Sequence, residues 1–480
     1  MEEMNEFIKQ RLDKLNALKE IDIEPYGGAF NKSHSIERLA GDYQEGLAVQ
    51  TAGRVMALRE HGKSSFLDLR DSSAKIQVYV KSATVGEEVY ANIFKRLDIG
   101  DILGVKGKLF KTRTGEVTIN AEEIVLLAKG LRPLPEKWHG LKDVEIRYRQ
   151  RYVDLIVNED VRGVFRLRNK IISKIRDFLN ERDFMEVETP MMQSMAGGAA
   201  GEPFKTHHKA LGIDLFLRLA PELYLKRLLV GGFDRVYELN RNFRNEGISV
   251  RHNPEFTMLE VYEAYSDCEG MMHLTEGLLT YLAKEVLGTP TIKFGDYNIG
   301  LETPWPRWSF AGEIKKRFDI NPDDSQKAWI EKLEAKGMDF KAKEITRSQV
   351  ITIISEMLEP ETKDKPIFVV DLFAELCPLA KKKRGNPLLT DRFELFMGGM
   401  EIANAYSELN DPIEQKKRFA EQLVGQEGIK KIDEDFVRAL EYGMPPAGGL
   451  GIGIDRLVML FANQPSIRDV ILFPQLKPEA

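Results

Sequence analysis

The sequence contains few cysteines and lacks any long apolar run. Among 480 residues the two cysteines, Cys268 and Cys377, lie far apart and without CxxC spacing. Neither a disulfide framework nor a zinc site is therefore indicated, and we expect two reduced structural thiols. No run of about 18 apolar residues occurs, and the charged start MEEMNEFIKQRLDKL does not fit a signal peptide. We therefore expect a cytoplasmic protein with no membrane partner.

The composition is that of a folded protein with more than one domain. The chain is 43% hydrophobic and 30% charged, and its formal net charge is −6. A length of 480 residues predicts two or three domains. The acidic balance argues against wholesale wrapping of nucleic acid but leaves room for a local basic surface.

The N-terminal part has the pattern of a small β-barrel. Residues 1–46 form a helical extension by prediction, with Ile8, Leu12, Leu15 and Leu18 at helical spacing. Residues 47–135 then show three strand-like runs, a helical piece and two more strands, which is the order of an OB-fold. Apolar positions alternate there with a mixed aromatic and polar face, as single-stranded nucleic acid binding requires. An ordinary solvated barrel surface remains the alternative.

The rest of the chain predicts an α+β domain. Prolines and dense charge mark residues 136–163 as a linker. From 164 to 480, strands and helices follow in irregular order, which favours a mainly antiparallel sheet with flanking helices. Residues from about 310 to 365 are polar and helical, and we interpret them as an insertion. The stripe of Val164, Leu167, Ile171, Ile175 and Phe178 fits either intrachain core or a subunit contact.

Three motif-like stretches are better explained by structure than by chemistry. His61-Gly-Lys-Ser lacks the earlier glycine of a phosphate-binding loop and predicts a hairpin. The segment GLGIGID, from Gly449, lacks the third glycine of a dinucleotide fingerprint, and we expect close packing of a strand on the following helix. The run from Lys381 to Arg384 fits a solvated loop.

One set of strands carries an unusual concentration of polar residues. The stretch NRNFRNEG follows a strand, and alternation over 234–246 places five polar side chains on one face: Glu238, Asn240, Asn242, Arg244 and Glu246. Because unpaired buried charges are costly, we expect this face to meet water or a polar ligand. An antiparallel neighbour adds Phe256, Met258, Glu260 and Tyr262, and a third strand adds Asn404, Tyr406 and Glu408. Arginine, aromatic rings and several carboxylates suit a ligand that is both anionic and cationic.

Four motifs in order resemble a known family. ETPMM with Pro190, FRNEG at 243–247 with HNPEF at 252–256, and GLGIGIDR at 449–456 match the three class II synthetase motifs. RFELFMGGMEIANAYSELNDP narrows the resemblance to class II lysyl-tRNA synthetases of the bacterial form. The resemblance covers nearly the whole chain. It implies ATP, L-lysine and tRNA(Lys) as ligands, Mg²⁺ as cofactor, and a homodimer built on the first motif.

The resemblance also implies roles for individual residues. Arg244 and Arg456 would be catalytic, holding the α- and γ-phosphates of ATP. The implied ATP-binding set is Arg244, Glu246, His252, Asn253, Phe256, Glu394, Glu401 and Arg456. The implied lysine-binding set is Gly198, Glu222, Glu260, Tyr262, Asn404, Tyr406 and Glu408. Glu394 and Glu401 would be the magnesium ligands, and Phe66, Arg70 and Gln77 would contact the anticodon.

Two details depart from the simplest pattern. Strict alternation places Glu401 opposite Asn404, so a bulge or bend must lie between them if both face the ligand. PPAGGLG at 445–451 stands where the family more often has Thr-Ala before the glycines.

Aspartyl and asparaginyl synthetases are the near alternatives, although Glu222, Glu260 and Glu408 suit a cationic substrate. A synthetase-like RNA-binding regulator and an enzyme that charges a protein with lysine are further alternatives.

Overall fold

The chain divides into two compact units. The computed structural model describes residues 6–135, 141–195, 197–199, 201–338, 345–358, 360–425 and 432–479. The two units are Met1–Lys142 and Asp143–Ala480. The predicted linker, 136–163, belongs largely to the second unit and its described part is helical.

The first unit is a closed five-stranded barrel with the strand order β1-β2-β3-β5-β4. Its strands are β1 (Ala48–His61), β2 (Ser64–Arg70), β3 (Lys75–Lys81), β4 (Ile102–Lys111) and β5 (Val117–Ala128). Its helices are α1 (Glu6–Lys19), α2 (Ile36–Gly41), α3 (Ser82–Val85) and α4 (Glu87–Asn92). Three strands, a helical segment and two strands confirm the predicted OB-fold order.

Alternation in the barrel strands places the core as the sequence indicates. Leu67 and Leu69 of β2 and Ile76, Val78 and Val80 of β3 are buried. Burying these side chains on one face stabilises the barrel by removing apolar surface from water. The HGKS stretch is the turn between β1 and β2, in which His61 pairs with Ser64, as predicted.

The second unit is built on an eight-stranded sheet. Its strand order is β14-β15-β18-β19-β20-β11-β10-β6, and all neighbours are antiparallel except the pairs β14·β15 and β10·β6. The strands of this sheet are β6 (Met185–Glu186), β10 (Arg235–Phe243), β11 (Glu255–Ala264), β14 (Arg307–Ser309), β15 (Ile367–Val370), β18 (Arg392–Met397), β19 (Met400–Ser407) and β20 (Ala447–Gly453). Short strands outside it are β7 (Met192–Gln193), β8 (Lys205–His208), β9 (Ile213–Leu217), β12 (Thr291–Phe294), β13 (Tyr297–Gly300), β16 (Lys382–Lys383) and β17 (Asn386–Thr390). The predicted α+β class with a mainly antiparallel sheet is confirmed.

Helices flank this sheet. They are α5 (Val144–Arg149), α6 (Arg151–Val157), α7 (Glu159–Asn180), α8 (Glu222–Val230), α9 (Cys268–Leu282), α10 (Phe310–Phe318), α11 (Gln326–Glu334), α12 (Arg347–Met357), α13 (Pro412–Gly425), α14 (Glu434–Glu441), α15 (Ile454–Phe461) and α16 (Ile467–Val470). In the apolar stripe of α7, Ile171, Ile175 and Phe178 are buried in the core beneath the sheet. Helices α10 to α12 pack around Trp329 and Phe310 in a hydrophobic cluster of their own, in the region interpreted as an insertion.

Candidate active site

A large cleft lies over the central strands of the second unit. Its volume is about 1420 Å³, and strands β11, β19 and β20 contribute to its walls. Most of the residues that the sequence singled out line it: Gly198, Glu222, Arg244, Glu246, His252, Asn253, Phe256, Glu260, Tyr262, Glu401, Asn404, Tyr406 and Arg456. Glu408 and Glu394 are not among the residues that line the cleft. Phe66, Arg70 and Gln77 belong to the barrel unit.

The polar row on β10 does not face the ligand as a whole. Glu238 and Asn242 are fully buried and are not part of the cleft lining, so the prediction was wrong for these two residues. The physical reason is a partner that strand alternation does not reveal. The Arg218 guanidinium donates to Glu238 Oε1 at 2.6 Å, and Thr189 Oγ1 donates to Glu238 Oε2 at 2.7 Å. Pairing removes most of the cost of burying the carboxylate.

Beyond the end of β10, Arg244 and Glu246 enter the cleft. Asn242 pairs with Phe256 across β10 and β11, as the predicted chain reversal requires. The Arg244 guanidinium lies 5.1 Å from the centre of the Phe256 ring, a cation–π distance. Gly201, with φ +141°, approaches closely, since a Cβ there would lie 3.0 Å from Glu246 Oε1. A cation, a carboxylate and an aromatic plane therefore share one end of the cleft.

The start of α15 contributes Arg456 to the same end. Arg456 Nη1 donates to the Glu401 carbonyl oxygen at 2.8 Å, and Nη2 lies 3.1 Å from His252 Nε2. Burial and the Arg456 charge lower the pKa of His252, which favours the neutral ring whose Nε2 can accept from Arg456. Asn253 is buried, donates to the Glu255 carbonyl oxygen and accepts from the Gln475 amide. The amide nitrogen and oxygen of Asn253 therefore both hold the loop between β10 and β11 in place.

The opposite end of the cleft is a buried cluster of carboxylates and phenols. Tyr406 Oη donates to Glu222 Oε1 at 2.6 Å, and Tyr262 Oη donates to Glu260 Oε2 at 3.2 Å. Glu408 is 0% exposed. Burial and, to a smaller extent, the neighbouring Glu222 charge raise the pKa of Glu260 to about 8. Burial likewise raises the pKa of Glu408 to about 8 against the opposing effect of Lys226.

Lys226 is part of this cluster, although the sequence did not single it out. Its ammonium is fully buried, 2.7 Å from Glu222 Oε1, and it also forms an ion pair with Glu408 Oε2. Burial alone would lower the pKa of Lys226, but Glu222 and Glu408 raise it above its ordinary value. The available signal was the Glu222–Lys226 spacing of four residues on an otherwise apolar helix.

Among the described residues, the Glu408 carboxylate has one charged partner, the Lys226 ammonium at Oε2. Glu408 Oε1 is buried and receives no hydrogen bond from the described residues. This oxygen and the Tyr262 ring pack directly against Gly449 on β20, because an added Cβ there would overlap the oxygen and lie 2.6 Å from Tyr262 Cε1. A buried acceptor without a donor is unfavourable unless a ligand supplies one. The arrangement therefore fits a ligand that brings a buried cation or donor.

Between the two ends, Arg392 orients Asn404. Arg392 Nε donates to Asn404 Oδ1 at 3.0 Å, and its Nη2 donates to Glu394 Oε1 at 2.6 Å. Because the amide oxygen is engaged, the Asn404 amino group is free to donate into the cleft. Arg392 is a second residue that the sequence analysis missed, since its strand position alone did not distinguish it from a surface arginine.

A β-bulge accounts for the placement of Glu401. In the pairing of β18 with β19, Leu395 lies opposite Ala403 but Phe396 lies opposite Glu401, so the register shifts by one residue. This is the irregularity that alternation required, and it lets Glu401 and Asn404 both line the cleft. Within the described ranges, no three His, Cys, Asp or Glu side chains are grouped to hold a metal ion. The carboxylates of Glu394 and Glu401 fit Mg²⁺ only as partial ligands that need further oxygens from elsewhere.

The glycine-rich stretch and the basic run differ from expectation. A Cβ at Gly448 would lie 2.8 Å from Met271 of α9, and one at Gly451 would lie 2.8 Å from Met258 of β11. These close neighbours are therefore α9 and the cleft side chains, and the predicted packing on the following helix was wrong. Lys382 and Lys383 are exposed, as expected, but they form β16 of a hairpin and pair with Glu414 and Asp371, so this part is a strand and not a loop.

The barrel unit presents a separate aromatic surface. The rings of Phe66 and Tyr79 lie with centroids 4.9 Å apart, and Phe110 lies 6.2 Å from Tyr79. Gln77 Oε1 accepts from Thr118 Oγ1 at 3.0 Å. Arg70 ends β2 opposite Lys75. Phe66, Arg70, Gln77 and Tyr79 are partly exposed, on the barrel face that the alternation predicted.

Two further expectations concern the cysteines and the membrane. Cys268 and Cys377 are both buried and free, as expected. Across the described parts of the chain, every helix is too short or too polar to span a bilayer.

Comparison with known proteins agrees with this geometry. A family model described as tRNA synthetases class II (D, K and N) matches residues 143–477, and one described as an OB-fold nucleic acid binding domain matches residues 49–127. The chain is 53% identical to the lysine–tRNA ligase of Carboxydothermus hydrogenoformans, with 99% of each chain covered. It is 53% identical to that of Pelotomaculum thermopropionicum, covering 99% of this chain and 96% of the relative. The identity to the lysine–tRNA ligase of Moorella thermoacetica is 50%, covering 100% of this chain and 99% of the relative. The chain belongs to the class II tRNA synthetases of the D, K and N group.

Proposed function

We propose that this protein is an ATP-dependent lysine–tRNA ligase. The observation that carries the choice of amino acid is the buried carboxylate cluster, above all Glu408 with an oxygen that no described residue satisfies. A buried ammonium must be paired with a carboxylate, so the side chain of lysine matches this site. The lysine–tRNA ligases that resemble the chain along almost its full length support the same choice.

The other amino acids of the family fit less well. An aspartate side chain needs a cation and an asparagine side chain needs a neutral amide partner, whereas the deep end of the cleft holds Glu222, Glu260 and Glu408. The one ammonium described within this cluster, Lys226, is already engaged by Glu222 and Glu408. Placing a further carboxylate there would leave it facing like charges.

The first chemical step joins lysine to AMP. A carboxylate oxygen of lysine attacks the α-phosphorus of ATP in line, a new oxygen–phosphorus bond forms, and pyrophosphate leaves with the electrons of the broken bond. Arg244 would hold both the lysine carboxylate and the α-phosphate and stabilise the charge that develops between them. The attacking group belongs to the substrate, so the protein needs no activated nucleophile.

The second step transfers lysine to tRNA. A hydroxyl of the terminal ribose attacks the carbonyl carbon of lysyl-adenylate, AMP leaves, and an ester bond to the tRNA 3′ end results. Lysine would be held by Glu222 and Gly198 at the α-amine, by Asn404 at the carboxylate, and by Glu408 with Tyr262 and Tyr406 at the side-chain ammonium. In this assignment Glu260 supports the cationic end.

The other end of the cleft would receive ATP. Phe256 offers an aromatic plane for the adenine ring, and Glu246 offers an acceptor for its amino group. The Arg456 guanidinium, which contacts the His252 ring, would hold the γ-phosphate, while Asn253 would hold the loop. Mg²⁺ would be held by Glu394 and Glu401 together with ATP oxygens, and when bound it neutralises phosphate charge.

The barrel surface would bind the anticodon of tRNA(Lys). Phe66 offers a stacking plane, and Gln77 and Arg70 offer polar groups for base edges and phosphates. We take residues 47–135 as the anticodon-binding domain and the second unit as the catalytic domain, in a cytoplasmic enzyme. A homodimer is part of the proposal, and sedimentation that finds solely a species of about 55 kDa at micromolar concentration would refute it.

Amino-acid-dependent exchange of pyrophosphate into ATP tests the function directly. With each of the twenty amino acids offered in turn, lysine should support exchange at a rate well above all others. Stronger exchange with aspartate or asparagine would overturn the lysine assignment, and no exchange with any amino acid would favour an RNA-binding role without activation chemistry.

A further inference from the structure

The buried cluster contains an ammonium group that the proposed reaction does not use. Lys226 lies on α8, one helical turn after Glu222, and its side chain is 0% exposed. Its Nζ lies between the carboxylates of Glu222 and Glu408 and 5.6 Å from the centre of the Tyr406 ring. These two carboxylates are assigned to the α-amine and the side-chain ammonium of the substrate. The Lys226 ammonium therefore contacts both carboxylates that would bind the ammonium groups of the substrate.

The charges of the cluster can be counted. Three carboxylates (Glu222, Glu260 and Glu408) and one ammonium (Lys226) are buried together. When all are ionised, the sum is two negative charges. In the proposed function, lysine would bring two ammonium groups to this end of the cleft, with its carboxylate toward Arg244. The two negative charges of the cluster are then neutralised by the two positive charges of the ligand. This balance matters because an uncompensated charge in a buried site is strongly unfavourable.

We propose that Lys226 is a positioning and specificity residue that sets the charge of this pocket to match an amino acid with two ammonium groups. This inference rests on the proposed function. Lys226 holds Glu222 and Glu408 at a fixed separation and cancels one of the three negative charges. An amino acid of similar length that lacks the side-chain ammonium leaves one carboxyl group unpaired, and that group must then stay protonated.

Removing the charge of Lys226 should therefore affect lysine more than ATP. In Lys226→Met, three buried carboxylates face two ammonium groups, and one carboxylate must stay protonated when lysine is bound. We expect the KM for lysine in pyrophosphate exchange to rise roughly 30-fold or more, as for truncation of one partner of a buried charge pair. The KM for ATP and the kcat at saturating lysine should stay within a few-fold of the parent values.

A pH profile separates this role from simple structural support. Groups facing Lys226 and its partners from the packed elements are Glu222, Glu260, Tyr262, Cys377, Tyr406 and Glu408. When the positive charge of Lys226 is removed, the carboxylates of Glu222, Glu260 and Glu408 repel one another more strongly. Each of them then holds its proton more tightly. The pH above which the lysine KM levels off should therefore be higher in Lys226→Met than in the parent protein. A residue that only fills space would not move this pH.

The experiment measures exchange kinetics from pH 6.5 to 9 for the parent, Lys226→Met and a control, Lys327→Met. Lys327 is also an i,i+4 partner of a glutamate, Glu331, but its side chain is 87% exposed. If Lys226→Met does not fold, Lys226→Gln replaces it. A parent without lysine-dependent exchange would overturn the proposed function itself. An active parent with a variant of unchanged lysine KM, or with equal losses for lysine, ATP and kcat at every pH, would overturn the role of Lys226 alone.

Discussion

At the residue scale, buried charge defines the lysine end of the cleft. Strand alternation was enough to predict that Glu260 and Tyr262 face the cleft, because side-chain direction on a strand follows from parity. It was not enough for Glu238, which shares their polarity yet lies buried against Arg218. Nor could it predict Lys226, whose partner Glu408 is distant in sequence. Which charges are paired depends on tertiary contacts, and parity contains no information about those.

The raised pKa values of Glu260 and Glu408 predict that lysine binding depends on pH. Burial raises the pKa of Glu260 to about 8 and raises that of Glu408, which is paired with Lys226, above its ordinary value, so the free protein binds protons at these carboxyls that the lysine complex does not. Bound ammonium groups favour the ionised form, so lysine binding releases protons below about pH 8. The Kd for lysine should therefore fall between pH 6 and 8, by up to about tenfold per pH unit for each proton released, and level off above. Calorimetry in two buffers of different ionisation enthalpy measures the release, and a Kd that is flat over this range would contradict the ionisation scheme.

At the element scale, β19 and β20 place the site through two local features. The bulge near Ile402 turns Glu401 and Asn404 toward the same cleft. The sequence predicted that a bulge must exist once Glu401 and Asn404 were assigned to one site. It did not predict at which residue the strand pairing shifts. The glycines of β20 were recognised as sites of close approach, yet what approaches them is set by neighbouring strands. Gly449 in particular makes room for Glu408 and Tyr262.

Gly449→Ala should damage the lysine end of the cleft. The added Cβ would overlap Glu408 Oε1 and crowd Tyr262 Cε1 at 2.6 Å, and overpacking of this kind costs about 1–3 kcal/mol. We expect the lysine KM in pyrophosphate exchange to rise by at least roughly tenfold, since the same displacement moves the carboxylate. Gly163→Ala on α7 is the matched control, because a Cβ there meets no atom within 4 Å. Equal behaviour of the two variants would show that the space beside Glu408 is not needed.

At the scale of the whole molecule, the order of elements was more predictable than their bounds. The barrel followed from alternation and turn signals, which act over short distances. The dense charge before residue 164 predicted a linker, but helices α5 and α6 form there. Arg151 and Asp154 of α6 form a buried ion pair. Helix formation in that segment depends on tertiary burial of its charges, which local composition does not indicate.

The division into two units predicts that tRNA recognition and lysine activation are separable. Phe66→Ala removes one plane of the barrel's aromatic surface, where stacking is worth about 1–3 kcal/mol per base. We expect the second-order rate constant for transfer of lysine to tRNA to fall by roughly ten- to hundredfold, as that energy implies. Pyrophosphate exchange without tRNA should remain near the parent value. Loss of both activities would indicate damage to the fold, and loss of neither would mean that this surface does not read the anticodon.

The most direct test of lysine selection by buried carboxylates is the lysine kinetics of Glu408→Gln in pyrophosphate exchange. The substitution keeps the shape of a side chain that is 0% exposed and removes its negative charge. If Glu408 pairs with the side-chain ammonium, kcat/KM for lysine should fall by the equivalent of about 2–5 kcal/mol, while the KM for ATP stays within a few-fold of the parent. A lysine kcat/KM within a few-fold of the parent, or equal losses for lysine and ATP, would contradict the account.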